Sequence, residues 1–439
     1  MTSGREFTKK FSVYAAGNIG SKFIIFLLYP VLTFYLQPEE LGEFDVYFTV
    51  IIWIGMATML NMRDGVFRYT INSDITTFKT IIQLFLKISL WNAILLFTIA
   101  FICYIFNITL AFNPFLLAVF FLSFNLYDVY QQIIRASGKT KLYVAGNLIA
   151  SVLIALITIV LLRTTSLKAN SLIIAYTISK IMAFIITEKI YPIFKNSNIK
   201  DVHHPFDKKI AQRIINYSLF LLPGSMAVCG IENWGKLYLL NYLGEYHNGI
   251  YAIVLKFSSI FFVVITIYQQ AWQESAIRDY KDVNKNIYFS RFFNYYLLFL
   301  AVVALGFAIG MEIFYPLMMS DVYYESVRYI FPQLISLIFM ALSFFLGLGY
   351  ECSYQVKRAI YSAILASLVS LILNYFFITK IGLMGCIVAN ICAGLSMFIY
   401  RIIDVRRYFI LKLNKFGILG IIIIVFSIIG WAFYYKSLQ

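Results

Sequence analysis

Residues 416–435 read FGILGIIIIVFSIIGWAFYY, a run of twenty residues without a charged side chain or a proline. About twenty apolar residues in an α-helix are the length that crosses the hydrocarbon core of a bilayer. Because lipid offers no partner to free backbone groups, a run of this kind is expected to be helical. The stretch therefore predicts a transmembrane helix.

The rest of the chain has the same character. Of its 439 residues, 61% are hydrophobic and only 13% are charged. Soluble domains are about 25% charged and 45–50% apolar, so this composition excludes an ordinary soluble enzyme, a disordered chain and a disulfide scaffold. The five cysteines lack the spacing of a metal or disulfide site, and we expect no metal and no cofactor. They are Cys103, Cys229, Cys352, Cys386 and Cys392.

Thirteen apolar segments predict an all-α polytopic membrane protein. They are residues 13–36, 44–61, 80–106, 114–134, 142–162, 169–190, 214–243, 249–271, 292–313, 329–350, 359–378, 381–400 and 416–435. The breaks between them are chemically sensible: Gln37-Pro38 ends the first segment, and Asn113-Pro114 opens the fourth. No connecting segment exceeds 23 residues, so none is large enough to fold as a catalytic domain, and we expect no enzyme.

The loop charges predict the orientation. With a cytoplasmic N-terminus, the inner segments hold 25 of the 36 Lys and Arg residues, and the outer loops hold five. This bias follows the positive-inside rule, which also accounts for the formal charge of +15. Because no nucleic-acid-reading motif is present, we expect no nucleic-acid partner.

A weak internal repeat divides the chain. A shift of 207 residues places Gly17 on Gly224, Leu36 on Leu243, Gly42 on Gly249, and Phe44 on Tyr251. Six spans, a long basic loop and six more spans have the layout of transporters built from repeated halves. We expect an N-terminal six-helix lobe over residues 1–200, a C-terminal six-helix lobe over 201–405, and an extra C-terminal transmembrane helix within 406–439.

Six lysines lie within the predicted spans, and five of them are several residues from a span end: Lys22, Lys87, Lys180, Lys236 and Lys256. A charged side chain at bilayer depth costs at least about 2.5–3.5 kcal/mol, so it marks a functional site by default. Lys22 is about 13 Å deep at about 1.5 Å per residue, and Lys180 is central in its span. A cavity lined by lysines would attract phosphate, pyrophosphate or carboxylate groups. These lysines therefore predict a cationic, substrate-binding cavity.

Other interpretations of these charges stay open. Lys87, Lys236 and Lys256 lie near helix ends, where a long side chain can reach the interface. Glu232 precedes Lys236 by one turn, which suits either a mutually neutralising pair or a role in ion coupling. Asp128 is expected either to pair with Arg135 or to face the cavity. The many Tyr and Phe residues suit sugar stacking, and equally helix packing and interfacial anchoring.

Several short stretches resemble the polysaccharide-biosynthesis flippases, the O-antigen and capsule repeat-unit flippases of the multidrug/oligosaccharidyl-lipid/polysaccharide exporter (MOP) superfamily. The stretches are Gly17–Ile19, Tyr29–Leu36, Glu40–Phe44, Arg63–Tyr69, Gly244–Tyr251, Asn374–Phe377 and Gly382–Cys386. Cys386 stands where the family usually has alanine. The resemblance covers nearly the whole chain in degenerate patterns.

The resemblance implies a fold like that of the multidrug and toxin extruders, with two six-helix lobes. It implies transport of undecaprenyl-pyrophosphate-linked oligosaccharide across the bacterial inner membrane. The implied partners are this lipid-linked cargo, membrane lipids, a polysaccharide polymerase and a chain-length regulator. Drug exporters of the superfamily often carry an acidic residue in the first helix, where this chain has Lys22. The alternatives are a cation-coupled multidrug exporter, a membrane glycan polymerase, and a peptidoglycan-precursor flippase, for which fourteen spans would be expected.

Overall fold

The computed structural model describes residues 2–71, 73–108, 110–196, 206–280, 284–353 and 355–437. Within these ranges the regular elements are helices. They are α1 (Thr2–Tyr35), α2 (Pro38–Thr58), α3 (Met62–Thr70), α4 (Ile75–Ile105), α5 (Pro114–Ala136), α6 (Thr140–Thr164), α7 (Ala169–Ile190), α8 (Ile193–Asn196), α9 (Lys208–Asp279), α10 (Lys285–Met318), α11 (Val327–Cys352), α12 (Val356–Ile381), α13 (Leu383–Asp404) and α14 (Lys415–Ser437). Short 3₁₀ turns, Asp321–Ser326 and Val405–Arg407, precede α11 and follow α13.

The predicted spans all fall on these helices. Over the described residues, eleven helices are long and apolar enough to cross a bilayer. One of them, α9, carries two predicted spans, because its backbone leaves helical geometry at Gly244, where φ is 84°. The apolar part of α1, Ile19–Tyr35, accounts for one more. The prediction of an all-α, multi-pass membrane protein is confirmed.

Local sequence explains where helices begin. The Asn113 side-chain oxygen accepts hydrogen bonds from the backbone N–H groups of Phe115, at 3.0 Å, and Leu116, at 3.3 Å. These are two of the amides that the first turn of a helix leaves without a partner. Pro114 occupies the first helical position, where no N–H is needed. The predicted start of the fourth span is therefore confirmed.

The predicted repeat is visible as two breaks at equivalent positions. Helix α1 ends at Tyr35 and α2 begins at Pro38. A shift of 207 residues takes this break to Gly244, where α9 bends. Glycine is the residue that adopts this positive φ most easily, because a Cβ is poorly tolerated in that conformation. The two halves thus share the same interruption.

The chain forms two compact units. Unit 1 contains Met1–Val31 and Tyr47–Ser225, and unit 2 contains Leu32–Val46 and Met226–Gln439. The sequence-based boundaries at residues 200 and 405 differ from this division, and the packing explains why. Ala211 and Ile214, in the first turns of α9, belong to the apolar core of unit 1. Helix α14 packs along α10, with Gly420 against Leu298, and so belongs to unit 2.

Each unit has its own apolar core. In unit 1 the core includes Met62, Phe85 and Ile133. In unit 2 it is built around Trp272, whose ring stacks on Phe345 with centroids 5.0 Å apart. These cores fix the positions of the helices that carry the charged side chains of the candidate site.

Candidate functional site

Lys180, on α7, is turned towards α5 inside unit 1. Its Nζ lies 4.6 Å from the ring centroid of Tyr127 and 5.3 Å from that of Phe124. An ammonium over aromatic faces is attracted by the negative face of each ring, by about 0.5–2 kcal/mol. Lys180 is half-buried and forms no ion pair with a carboxylate of the described residues. Its positive charge is therefore held in place without being neutralised.

Asp128 follows Tyr127 on α5, and it pairs with Arg63 at the start of α3. The Arg63 Nη1 lies 3.4 Å from the Asp128 Oδ2, and the two side chains are 53% and 40% exposed. Pairing with Arg135 was one of two alternatives for Asp128, and the structure instead pairs Asp128 with Arg63. Arg135 instead lies over the Phe67 ring at 4.6 Å. Residues seven apart on one helix are separated by about 10 Å along its axis, so a partner on a neighbouring helix lies within easier reach.

Arg63, Asp128 and Lys180 together form what we call the unit 1 cluster. Asp128 acts electrostatically on Lys180 as well as on Arg63. Two cations and one carboxylate give these three residues a net charge of +1, and Asp64 also acts electrostatically on Arg63. Since Arg63 and Asp128 are partly exposed, the cluster is open to a ligand, and the Lys180 charge favours an anionic one.

Lys22 and Lys87 stand apart from the unit 1 cluster. Lys22 lies on the exposed side of α1, and none of the described side chains pairs with it. Lys87, on α4, holds its Nζ 3.6 Å from the ring centroid of Phe206, close to the start of α9. Much of the long basic loop that precedes Phe206 lies outside the described residues. Lys87 lies twelve residues after the start of α4, so the structure does not place it at a helix end.

Lys236, on α9 in unit 2, is buried against Asp45 of α2. Its Nζ is 2.6 Å from the Asp45 Oδ2, and the side chains are 7% and 2% exposed. Glu232, one turn earlier and half-buried, adds negative charge near the same ammonium. The sequence suggested Glu232 as the neutralising partner and missed Asp45. The sequence did contain a signal for this partner. Asp45 lies at the predicted outer end of the second span, and Lys236 is also closer to the outer end of its own span.

Lys256 lies on the part of α9 after Gly244. It is half-buried and is followed by the fully buried Phe257. The structure thus joins Lys236 to Glu232 and Asp45 within unit 2, and joins Lys180 to Asp128 within unit 1. Lys256 belongs to unit 2 as well.

Residues Leu32–Val46, which we call the docked hairpin, are fastened to the rest of unit 2. Asn248 Nδ2 donates to the Gly42 carbonyl at 2.7 Å. Tyr323 Oη donates to the Leu36 carbonyl at 3.0 Å. The Lys236–Asp45 pair adds a third fastening. These contacts are buried, so they are expected to hold the hairpin firmly in this conformation.

An aromatic cluster lies near the predicted outer end of the first span of α9 and that of α12. The Tyr238 and Tyr242 rings stack with centroids 6.1 Å apart, and Tyr375 meets both edge-on. Tyr375 continues an exposed apolar face of α12 that includes Leu368 and Ile372. Tyrosines at the end of such a face are typical of interfacial anchors. This placement favours the anchoring interpretation over sugar stacking.

An apolar cavity of about 520 Å³ lies in unit 2 between α10, α11 and α14. Its lining includes Leu305, Phe331 and Phe426, and its polar side chains are Glu312, Ser427 and Trp431. The cavity has the size and chemistry for a hydrocarbon chain. In the described part of the chain, no group of three His, Cys, Asp or Glu side chains could hold a metal ion.

The same helical arrangement occurs in solved transporter structures. A multidrug resistance MATE family transporter of the MOP superfamily, in its inward-facing conformation, matches with a TM-score of 0.66 and 12% identity, over 91% of this chain and 95% of that one. The lipid II flippase MurJ, in an inward closed conformation, matches with a TM-score of 0.63 and 16% identity, over 97% of this chain and 99% of that one. This chain has their fold. The expectation of an extruder-like architecture is confirmed.

A third structure extends the comparison. The MATE multidrug transporter DinF-BH matches with a TM-score of 0.63 and 14% identity, over 91% of this chain and 95% of that one. No family model and no curated protein matches the sequence. At these identities the likeness concerns the fold, and the cargo must be argued from the charges of this chain.

Proposed function

We propose that this protein is a flippase that moves an undecaprenyl-pyrophosphate-linked oligosaccharide across the bacterial inner membrane by alternating access. The observation that carries the proposal is the Lys180 ammonium, held between Tyr127 and Phe124 without a carboxylate of its own. A fixed positive charge at the middle of a span suits an anionic head group and repels a cation. The fold shared with the lipid II flippase MurJ supports a lipid-linked cargo.

In this proposal Lys180 and Lys22 attract the pyrophosphate from within the spans. Lys22 is exposed, and an ammonium about 13 Å along a span is far cheaper in contact with water than with acyl chains. Lys87 assists uptake of the cargo at the cytoplasmic side, where the predicted orientation places the N-terminus. The apolar cavity between α10, α11 and α14 has room for part of a hydrocarbon tail.

Lys236 is tied to Asp45 in this conformation, so it serves the cargo only after that pair separates. Lys236 and Lys256 would then assist release towards the outside. For ion coupling, Glu232 is the better candidate, because Asp128 is already paired with Arg63. The polymerase and the chain-length regulator remain proposed partners in the same pathway.

A multidrug exporter is the second candidate, because the matching folds include MATE transporters. A cationic drug would require a carboxylate with negative charge to spare. Asp45 and Asp128 each have a cationic partner, and Glu232 lies in the field of Lys236. A membrane glycan polymerase is disfavoured, because the connecting segments are too short to fold as a catalytic domain.

The deciding experiment replaces Lys180 with alanine in the native host and measures surface polysaccharide at normal protein levels. Loss of a charge-assisted contact of about 1.5–3 kcal/mol predicts a decrease in transport of about tenfold or more. Lys189→Ala, an exposed lysine in the last turn of the same helix, is the matched control. Undiminished polysaccharide in the Lys180 variant would overturn the assignment. Drug susceptibility measured in the same strains separates the exporter alternative.

A further inference from the structure

The segment between α13 and α14 is extended and is fastened to α10. The Ile410 N–H donates to Asn286 Oδ1 at 3.0 Å, and the Lys412 N–H donates to Ser290 Oγ at 3.0 Å. Asn294 forms two hydrogen bonds with the backbone at the end of the segment. Its Nδ2 donates to the Lys412 carbonyl at 2.8 Å, and its Oδ1 accepts from the Asn414 N–H at 3.0 Å.

The spacing of these contacts gives the segment a fixed register. Asn286, Ser290 and Asn294 are four residues apart, so they lie on one face of α10 over about 12 Å. An extended chain covers about 13 Å between Ile410 and Asn414, which matches that distance. Along the axis of α10, Lys412 therefore lies between Ser290 and Asn294, at about the same height as Arg291.

An aromatic pair lies beside this level. The Tyr295 and Phe416 rings are in contact, with centroids 5.2 Å apart. Lys415 Nζ lies 5.4 Å from the Phe416 ring centroid. Arg291 is one helical turn before Tyr295, so it emerges on the same side of α10. We call Arg291, Tyr295, Lys412, Lys415 and Phe416 the headgroup site.

All three cations of the headgroup site are exposed. None of them forms an ion pair with a carboxylate of the described residues. Directly above them α14 presents exposed apolar side chains, Ile418, Leu419 and Ile422. Cations at the start of an apolar, lipid-facing helix, with Tyr and Phe between them, match the order of phosphate, glycerol and acyl chains in a phospholipid.

We propose that the headgroup site binds the phosphate of an anionic phospholipid, with the acyl chains lying along α14. The charge bias of the loops assigns this end of α10 to the cytoplasmic leaflet. The anchored segment makes the site specific, because it fixes the position of the Lys412 backbone along α10 without help from the lipid. The site is separate from the lysines of the proposed cargo path and does not depend on the nature of the cargo.

The test uses the full-length protein in nanodiscs of phosphatidylcholine containing increasing amounts of phosphatidylglycerol. Bound phosphatidylglycerol is counted by native mass spectrometry after mild release. Neutralising Arg291, Lys412 and Lys415 together to glutamine is expected to weaken binding about a hundredfold. The matched control neutralises three other exposed cations, Lys141, Lys208 and Lys209, and is expected to change binding less than about twofold.

Equal losses in the two triple variants would overturn the site, because they would show only general attraction to a basic surface. Unchanged binding in the first variant would overturn it as well. An arm with inorganic phosphate as competitor distinguishes a lipid site, which resists displacement, from a free phosphate site, which does not. If the triple variant fails to fold, Arg291→Gln and Lys415→Gln singly are each expected to weaken binding about fivefold.

Discussion

Gly42 and Gly249, which are 207 residues apart and equivalent in the repeat, pack backbone against backbone. A Cβ on Gly42 would lie 2.6 Å from the Gly249 nitrogen and would overlap the Glu245 carbonyl. A Cβ on Gly249 would overlap the carbonyl of Pro38, the repeat equivalent of Glu245. Contacts in which each partner meets the equivalent of the other are the mark of a two-fold axis. Gly42 and Gly249 therefore make mutually equivalent contacts at this glycine crossing.

Gly42→Ala is expected to lower the thermal midpoint of the purified protein, because backbone atoms must move to admit the methyl group. Overpacking of this kind costs about 1–3 kcal/mol. Gly306→Ala is the matched control, since a Cβ there has no neighbour within 4 Å. That variant should be neutral or slightly stabilising, because alanine favours the helix over glycine. Equal midpoints for the two variants would contradict the close crossing.

Asp45→Ala is expected to destabilise the protein by about 3–5 kcal/mol, because it removes the carboxylate closest to the buried Lys236 ammonium. The paired replacement Asp45→Leu with Lys236→Met should recover most of this loss, since neither charge then remains buried. Thermal unfolding of the single and double variants in detergent measures both effects. Additive losses in the double variant would show that the two residues act independently.

The orientation predicted from the loop charges can be measured by thiol labelling of intact cells. In a variant lacking the five native cysteines, Ser166→Cys should react with a membrane-impermeant reagent, and Lys141→Cys should react only after the cells are opened. Both positions are exposed, so burial does not decide the outcome. Reversed labelling would reverse the assignment of every loop, including the cytoplasmic N-terminus.

The sequence predicted the helices well, because a bilayer leaves the backbone few other choices. Span lengths and the break at Gln37 follow from apolar runs and from proline chemistry, both of which are local in sequence. The partners of charged groups were less accessible. Asp128 pairs with Arg63, and Lys236 pairs with Asp45, and in each pair the two residues lie on different helices. The apolar periodicity of a single sequence does not show how two helices are rotated relative to each other. Local spacing favoured Arg135 and Glu232 because it reports only neighbours on the same helix.

The boundaries of the two compact units differ from the sequence-based ones for a related reason. A loop rich in charge suggested a division near residue 200, but the structure divides the chain within helices, at Val31–Leu32 in α1, at Ser225–Met226 in α9 and at Val46–Tyr47 in α2. Apolar packing of the first turns of α9, through Ala211 and Ile214, decides the second of these positions. Such packing depends on which helices become neighbours, and the apolar pattern alone does not give that order.

The boundaries in α1 and α9 lie within three residues after a proline. Pro30 precedes the one in α1, and Pro223 precedes the one in α9. A proline inside a helix removes one backbone hydrogen bond and favours a bend at that point. In α1 and in α9 the chain therefore passes from one unit to the other close to a proline, where the helix lacks one backbone hydrogen bond.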